Sequence, residues 1–469
     1  MTEAEAFRRQ APQPLPPRGL NIPEFVESRL DNGLGVVIVE DRRLPLVSFR
    51  LAFRAGHASD PGELPGLTDM MTGLLNEGTE SRTSRQIAEE VEKLGATLSA
   101  GANSDYTTVA ASSLSTYSDQ ILELMADVAL HPSFPENEIE LTRENAKQML
   151  IQQRAQPSFL ASERVASVIF GQHPYAIVSP TPASLDAMTR DTFLDFHRSM
   201  LVPDRAVMFV VGDVVRDDVI GRINRLFGQW KQRPAIDPNF PPPPVRTRRT
   251  AYIVDRPGSA QSNIVIANLA INRTNPDFFP MLLLNTILGS NASSRLFMNL
   301  REEKGYTYGA YSSLDARRVL GTLRATAEVR TGVTGASLKE FFYELERIRQ
   351  EDVSDKEIVD AKSYLTGVFP IRIETQEGLV DQLVQINMMD LPRNYLHLYR
   401  DRVNAVSIGD IRHVAQQYVT PDKAAIVVVG DAAAVLDQIA PYSSEFEIYD
   451  TEGHPKPNKS LVGPEAALA

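Results

Sequence analysis

The spacing of apolar side chains changes along the chain, and each change predicts an element. Two largely apolar runs, 36–39 and 46–53, follow the turn signal Asn32-Gly33 and predict two strands. Five apolar residues then recur at helical spacing and predict an amphipathic helix: Leu67, Met70, Met71, Leu74 and Leu75.

Helical and extended patterns continue through the first half of the chain. Thr83 and Gln86 form a capping box that opens a second helix, and Gly95 ends it. We predict strands at 96–102 and 107–113 and helices at 120–129, 136–153 and 159–170. Because strands and helices do not strictly alternate, the pattern predicts an α+β domain whose largely antiparallel sheet carries helices on one face.

The two halves of the chain resemble each other. Each ends with a helix, a Pro-Asp turn, an apolar run and a Gly-Asp pair, and Gly212-Asp213 and Gly430-Asp431 lie 218 residues apart. Earlier, the segment around Val91 to Gly95 matches Arg301 to Gly305 at an offset of 210. Repetition at half the chain length predicts two homologous α+β domains with antiparallel-rich mixed sheets flanked by helices, related by a pseudo-two-fold axis.

A proline-rich segment separates the halves and defines the predicted domain boundaries. It contains Pro234, Pro238 and a run of four prolines from Pro241, which is typical of a semi-rigid spacer. We predict an extended arm at 1–22, a domain at 23–232, the linker at 233–249, a second domain at 250–447 and a tail at 448–469 that is disordered from Gly453 onward.

Composition excludes several classes of protein. The 469 residues include 60 acidic and 48 basic side chains, a net charge of −12, which argues against a general nucleic-acid binder. The absence of cysteine excludes disulfides, iron–sulfur clusters, thiolate zinc sites and a thiol nucleophile. No apolar run is long enough for a membrane span, and the N-terminus shows no leader. The chain as given is expected to be cytoplasmic, or periplasmic if an N-terminal signal is missing.

The seven histidines are scattered, and no two of them lie three or four residues apart. The segment from Gly66 to Thr79 nevertheless resembles the motif helix of the pitrilysin/insulinase/mitochondrial processing peptidase family, the inverzincins. That family's H-x-x-E-H motif supplies two zinc ligands and the base that activates water. In this chain Asp69, Thr72 and Gly73 occupy those positions, and we expect all three on the helix face opposite the apolar stripe.

The family's third zinc ligand is also missing from the position that the resemblance gives it. It lies on a helix that follows a Phe-Pro-Glu turn, here Phe134-Pro135-Glu136, and counting along that helix places Met149 at the ligand position. Since a catalytic zinc takes three protein ligands as a rule, we expect no metal and no cofactor in this chain.

One motif of the second half keeps the family's chemistry. The segment from Leu300 to Gly309 resembles the element in which an Arg and a Tyr reach the zinc site of the opposing half, and it assigns those roles to Arg301 and Tyr308. Arg301 is predicted in the last turn of a helix that Gly305 ends, and Tyr308 on the following strand. A purely structural role is the alternative, with Arg301 complementing a helix C-terminus.

The internal repeat favours the functional role. At the 210-residue offset, Val91 and Leu98 stand where the second half has Arg301 and Tyr308, so the same element is built elsewhere without those groups.

The resemblance implies a non-catalytic subunit of a heterodimeric zinc metallopeptidase, inactive alone. A zinc-bearing homologous subunit would be the partner, a peptide the substrate, and zinc would be held by the partner within a clamshell chamber. One alternative is a peptidase-like structural or binding subunit with no proteolytic role. Another is an independent enzyme that uses Asp69 with a histidine, although no spacing supports it.

Overall fold

The computed structural model describes residues 19, 21–233, 240–443 and 445–457. The predicted arm lies outside this part of the chain apart from 19, 21 and 22, and so do Pro234 and Pro238 of the linker. Ile22, at the end of the predicted arm, is buried in the core of the C-terminal half.

The N-terminal half contains six strands and eight helices within the described residues. They are β1 (Val26–Arg29), β2 (Gly35–Glu40), β3 (Leu46–Phe53), α1 (Leu67–Leu74), α2 (Ser84–Lys93), β4 (Thr97–Ala102), β5 (Thr107–Leu114), α3 (Ser118–Leu130), α4 (Glu136–Arg154), α5 (Pro157–Phe170), α6 (Pro182–Ala187), α7 (Arg190–Met200), β6 (Ala206–Gly212) and α8 (Arg216–Phe227). The capping box of Thr83 and Gln86 opens α2 as predicted, with both reciprocal hydrogen bonds formed.

The C-terminal half repeats the pattern. It contains β7 (Thr250–Asp255), β8 (Gln261–Ala270), α9 (Phe278–Leu288), α10 (Arg295–Phe297) continued by a π-helical turn (Met298–Glu303), β9 (Thr307–Ala316), β10 (Gly321–Arg330), α11 (Thr334–Gln350), α12 (Asp355–Arg372), α13 (Gln376–Met388), α14 (Tyr395–Ala405), α15 (Ile408–Tyr418), β11 (Ala425–Gly430), α16 (Ala432–Ile439), β12 (Phe446–Tyr449) and β13 (Pro455–Lys456).

Each half is built on one mixed sheet. The strand orders are β1-β2-β6-β3-β5-β4 and β13-β12-β7-β11-β8-β10-β9. In the first, β2 and β6 are parallel and the strands from β6 to β4 are antiparallel. In the second, β7 and β11 are parallel and the strands from β11 to β9 are antiparallel. The predicted α+β class, with two antiparallel-rich mixed sheets, is therefore confirmed.

Both faces of each sheet are covered, so the prediction of helices on one face is wrong. Each half places its own helices on one face, while the other face receives a helix from the opposite half. Helix α5 packs on β8 and β11, and α13 packs on β3 and β6. Val36 and Ile38 accordingly join the N-terminal core, whereas Val37 and Val39 pack with the C-terminal half. An unbroken apolar run is typical of a strand buried on both faces.

The C-terminal sheet also extends further than predicted. Strand β12 pairs in parallel with β7, and β13 pairs with β12, so residues up to Lys456 belong to the sheet. The predicted tail at 448–469 therefore begins inside a strand, and the residues from 453 to 456 are part of a hairpin rather than disordered. Residues 458–469 lie outside the described part of the chain.

Candidate functional site

Helix α1 carries three of the four positions at which the zinc motif would lie. The apolar spacing buries Leu67, Met70 and Leu74, and Asp69 faces outward with 59% of its side chain exposed. Gly73 is also exposed, and a Cβ added there would contact nothing within 4 Å.

Thr72 does not share the exposed face, which corrects the prediction for this position. It is only 4% exposed, and its hydroxyl donates to the carbonyl of Asp69 at 3.0 Å. Although helical spacing places Thr72 beside Asp69, its side chain is covered by the surrounding structure. The hydroxyl is therefore used within the helix.

Asp69 pairs with a histidine, as the independent-enzyme alternative requires, although no spacing in the sequence identified which one. The Nε2 atom of His57, in the loop after β3, lies 2.8 Å from Oδ1 of Asp69. Burial lowers the pKa of His57, but the hydrogen bond to Asp69 and the charges of Asp69 and Asp60 outweigh it, and the pKa lies above its ordinary value. Asp60 accepts hydrogen bonds from the amides of Gly66 and Thr68 at the start of α1, and burial raises its pKa to about 6.

The residues at the motif positions do not fit zinc. Met149 lies on α4, which packs against α1, but its thioether is a poor zinc ligand and the residue is 58% exposed. Among the described residues, no group of three or more His, Asp or Glu side chains could hold a metal ion. His57 and Asp69 together offer two ligands, whereas a catalytic zinc needs three protein ligands.

The second set of predicted residues lies in the C-terminal half, after α10. The π-helical turn ends at Gly305, which adopts a left-handed conformation with φ of 63°. Arg301 is in that turn with 44% of its side chain exposed, and its guanidinium lies 4.8 Å from the ring centroid of Phe297. Tyr308 is on β9, the edge strand of the sheet, and is 91% exposed.

The turn that carries Arg301 contains one residue more than its counterpart in the N-terminal half. At the end of α2, the amides of Gly95 and Ala96 donate to the carbonyls of Glu92 and Val91. At the equivalent glycine of the second half, Gly305 and Tyr306 donate to Arg301 and Leu300, one residue further back each. The amide of Lys304 donates to Asn299, the five-residue spacing of a π-helix.

Tyr308 lies on a second irregularity. Strand β9 has two residues, Tyr308 and Gly309, opposite Glu328 of β10, because Ala310 pairs with Ala327 and Thr307 with Val329. Strands β4 and β5 pair without such a shift. A bulge of this kind redirects a side chain at a sheet edge.

The fixed offset of 210 residues therefore gives the wrong structural counterparts. The carbonyl equivalent to that of Arg301 belongs to Glu92 rather than to Val91. In the sheets, Leu98 pairs with Ala111, and the matching cross-strand pair is Ala310 with Ala327. Tyr308 therefore lies at a bulge that β4 lacks, and Arg301 lies in a π-helical turn that the end of α2 lacks.

The structure has two mixed sheets that exchange helices, and its motif helix lacks a full set of zinc ligands. These features define a two-domain protein of the metallopeptidase type whose own zinc site is not built. The insulinase (peptidase family M16) model matches residues 36–180, and the peptidase M16 inactive domain model matches 187–365. The chain belongs to the insulinase family, peptidase family M16.

Similar proteins span nearly the same length. An uncharacterized zinc protease, YmxG of Bacillus subtilis, is 22% identical over 85% of this chain and 96% of its own length. A protein named non-peptidase homolog YmxG, from Helicobacter pylori, is 22% identical over 80% of this chain and 87% of its own. The crystal structure of a peptidase M16 inactive domain from Pseudomonas fluorescens is 27% identical, with a TM-score of 0.82 over 87% of this chain and 98% of that one.

A protease from Helicobacter pylori, at 18% identity, has the same fold with a TM-score of 0.82, covering 87% of this chain and 100% of that one. Within the described residues, no helix has the length and apolar composition needed to cross a bilayer.

Proposed function

We propose that this chain is the non-catalytic subunit of a heterodimeric zinc peptidase, to which it contributes Arg301 and Tyr308. The observation that carries the proposal is the pairing of an unsuitable zinc motif with an exposed Arg/Tyr pair in the same chain. Arg301 and Tyr308 are hydrogen-bond donors, and donors directed at a peptide carbonyl stabilise the charge that develops during its hydrolysis. A structure titled an inactive domain and a relative named a non-peptidase homolog support the non-catalytic part.

We further propose that the chain arose by internal duplication and forms one half of a clamshell. The shared order and directions of five strands in each sheet support the duplication. The exchange of α5 and α13 supports a two-fold relation, since each half gives the other the equivalent helix. In this arrangement a homologous, zinc-bearing subunit closes the chamber around a peptide.

The test is to replace the two donors with the zinc-bearing partner present. Arg301→Ala and Tyr308→Phe should each lower turnover of a peptide substrate by roughly 10²–10³, the scale of a removed oxyanion donor. Both side chains are exposed, so complex formation should be unchanged. Tyr308→Phe keeps the ring and removes only the hydroxyl, which separates donation from packing.

Two controls accompany this measurement. The chain purified alone should hold no stoichiometric zinc and hydrolyse no peptide, since its motif residues do not form a ligand set. Glu303→Gln, at an exposed position of the same turn, should leave turnover unchanged. Normal cleavage by complexes that contain the Arg301 and Tyr308 variants would reject the catalytic contribution and favour a structural or binding subunit.

A further inference from the structure

The π-helical turn that carries Arg301 is held from one side by α11. The side-chain amide of Asn299, the second residue of the turn, donates to Oε2 of Glu340 at 3.1 Å and to Oε1 of Glu344 at 2.9 Å. Both amide hydrogens are therefore used. At the other end of the turn, Nζ of Lys304 lies 3.9 Å from Oε1 of Glu340. Glu340 thus contacts both ends of the turn that contains Arg301, and Glu344, one helical turn further along α11, contacts its beginning.

A carboxylate is energetically unfavourable at the position of Glu344. Only 3% of its side chain is exposed, and burial of a carboxylate is unfavourable unless donors satisfy it. Asn299 donates to its Oε1, while Oε2 accepts no hydrogen bond and lies 3.5 Å from the guanidinium of Arg347 as an ion pair. Packing alone therefore does not explain why a buried carboxylate faces the turn that carries Arg301.

The N-terminal half shows that packing does not require the carboxylates. Helices α3 and α11 both begin after a short 3₁₀ turn that follows a strand, and along their common length their buried positions coincide except at the seventh, where Leu124 is buried and the Glu340 side chain is 14% exposed. Counted from the helix starts, Leu124 and Val128 of α3 correspond to Glu340 and Glu344 of α11. Leu124 is 1% and Val128 0% exposed, so the equivalent helix of the N-terminal half has apolar residues at both positions.

Glu340 and Glu344 occur in the same half as the π-helical turn with its extra residue, and this half carries Arg301 and Tyr308. A π-turn is less favourable than an α-turn and needs compensating contacts. We propose that Asn299, held by Glu340 and Glu344, is a positioning residue that maintains the π-turn and so fixes the direction of the Arg301 guanidinium. This inference rests on the proposed function for its catalytic consequence, but the contacts themselves are independent of it.

The test replaces the buried pair as a unit. Asn299→Leu combined with Glu344→Val installs apolar side chains of the kind that the N-terminal half uses, and it leaves no buried group of the pair unsatisfied. Turnover with the zinc-bearing partner should fall by up to about 10²-fold, the effect of a displacement of about 1 Å at a catalytic group. The loss should appear in kcat rather than KM, and complex formation should persist.

Two further measurements separate positioning from folding. The single variant Glu344→Gln keeps an oxygen that accepts from Asn299, so it should retain most of the turnover that the double variant loses. Hydrogen exchange of the amides from 303 to 306 should accelerate in the double variant and remain slow in Glu344→Gln. Asp360→Asn, which removes an exposed ion pair on α12, is the matched control and should change neither readout.

The outcomes distinguish this inference from the proposed function. Suppose that exchange at 303–306 is faster in the double variant but Arg301→Ala has no effect on turnover. This result would support the role of Asn299 in maintaining the π-turn and reject the catalytic role of Arg301. Unchanged exchange and unchanged turnover in the double variant would overturn the positioning role of Asn299, even if Arg301→Ala abolishes activity.

Discussion

At the scale of the residue, the buried Arg295 pairs with the partly buried Glu357. Arg295 has 5% of its side chain exposed and donates to both carboxylate oxygens of Glu357, at 2.6 and 3.1 Å. Burial alone would raise the pKa of Glu357, but the bonds from Arg295 and Ser354 lower it from 4.5 to about 2. Because the folded-state pKa is depressed, the pair stabilises the fold above pH 4.5, and this contribution is lost as the pH falls toward 2.

Glu357→Gln should therefore lower the free energy of unfolding by about 1–3 kcal/mol near neutral pH, because it leaves the buried guanidinium without its counter-charge. The difference from the unmodified chain should shrink as the pH falls from 4.5 toward 2, where Glu357 becomes protonated. Urea unfolding at several pH values measures this. A difference that stays constant over that range would contradict the assignment, and Asp360→Asn on the same helix serves as the exposed control.

The positions of the degenerate motif predict that zinc binding can be restored. Asp69 and Gly73 share an exposed face of α1 at helical spacing, Gly73 has room for a side chain, and Met149 is exposed on the adjoining α4. Asp69→His, Gly73→His and Met149→Glu combined should bind one zinc per chain, since they supply the three protein ligands of such a site.

Metal analysis after dialysis measures the stoichiometry. The double variant that retains Gly73 is the matched control and should bind zinc only weakly, because one of the three ligands is absent. A triple variant that holds no zinc would show that α1 and α4 do not bring these positions together.

At the scale of the element, the exchange of α5 and α13 joins the two halves into one core. Leu383 of α13 is 3% exposed and belongs to the same apolar cluster as Phe209 and Val211 of the N-terminal sheet. Salt bridges from Arg50 to Asp381 and from Arg54 to Asp390 flank this contact, at 3.1 and 2.6 Å. Unfolding either half therefore exposes apolar surface of the other.

Leu383→Ala should destabilise the protein by about 2–5 kcal/mol, the range for a buried Leu in a well-packed core. Thermal unfolding should remain a single transition at a lower temperature, since the helix supports the sheet of the opposite half. Ile371→Ala is the matched control, because Ile371 is 68% exposed on α12 and its truncation leaves no cavity. Two separate transitions, with only one of them shifted, would contradict the coupling of the halves.

Most elements were predictable because they rest on local patterns. The apolar stripe of α1 and the bounds of β3 follow from side-chain spacing alone. The π-turn and the bulge in β9 were not predictable, because they depend on residues far along the chain: Asn299 of the turn donates to Glu344 of α11, and the bulge lies opposite Glu328 of β10. Helix α5 corresponds to the helix predicted at 159–170, whereas no helix was predicted at α13; the placement of both on the opposite sheet depends on contacts between the halves.

At the scale of the whole molecule, the two halves keep one topology and differ in chemistry. The linker contacts both: Phe240 stacks on His173 of the first half with ring centroids 5.2 Å apart, and Arg249 donates to the carbonyl of Pro421 of the second at 2.8 Å. The N-terminal half has motif positions that cannot hold zinc, and the C-terminal half carries the exposed Arg301 and Tyr308. Within one chain, the two halves therefore share a topology and differ in the residues at these functional positions.

The sequence by itself determined the class of the fold, the two-domain organisation and the absence of a full set of zinc ligands at the motif positions, since periodicity and residue identity are local properties. Only the tertiary structure decided which helix covers which sheet face, that His57 meets Asp69, that Arg301 lies in a π-helical turn whose Asn299 donates to a buried carboxylate, and that Tyr308 lies at a bulge. These features depend on groups that are far apart in the chain and come together only when two sheets and their exchanged helices pack. The physical reason is that long-range contacts outweigh local preference wherever an irregular turn or a buried charge must be stabilised.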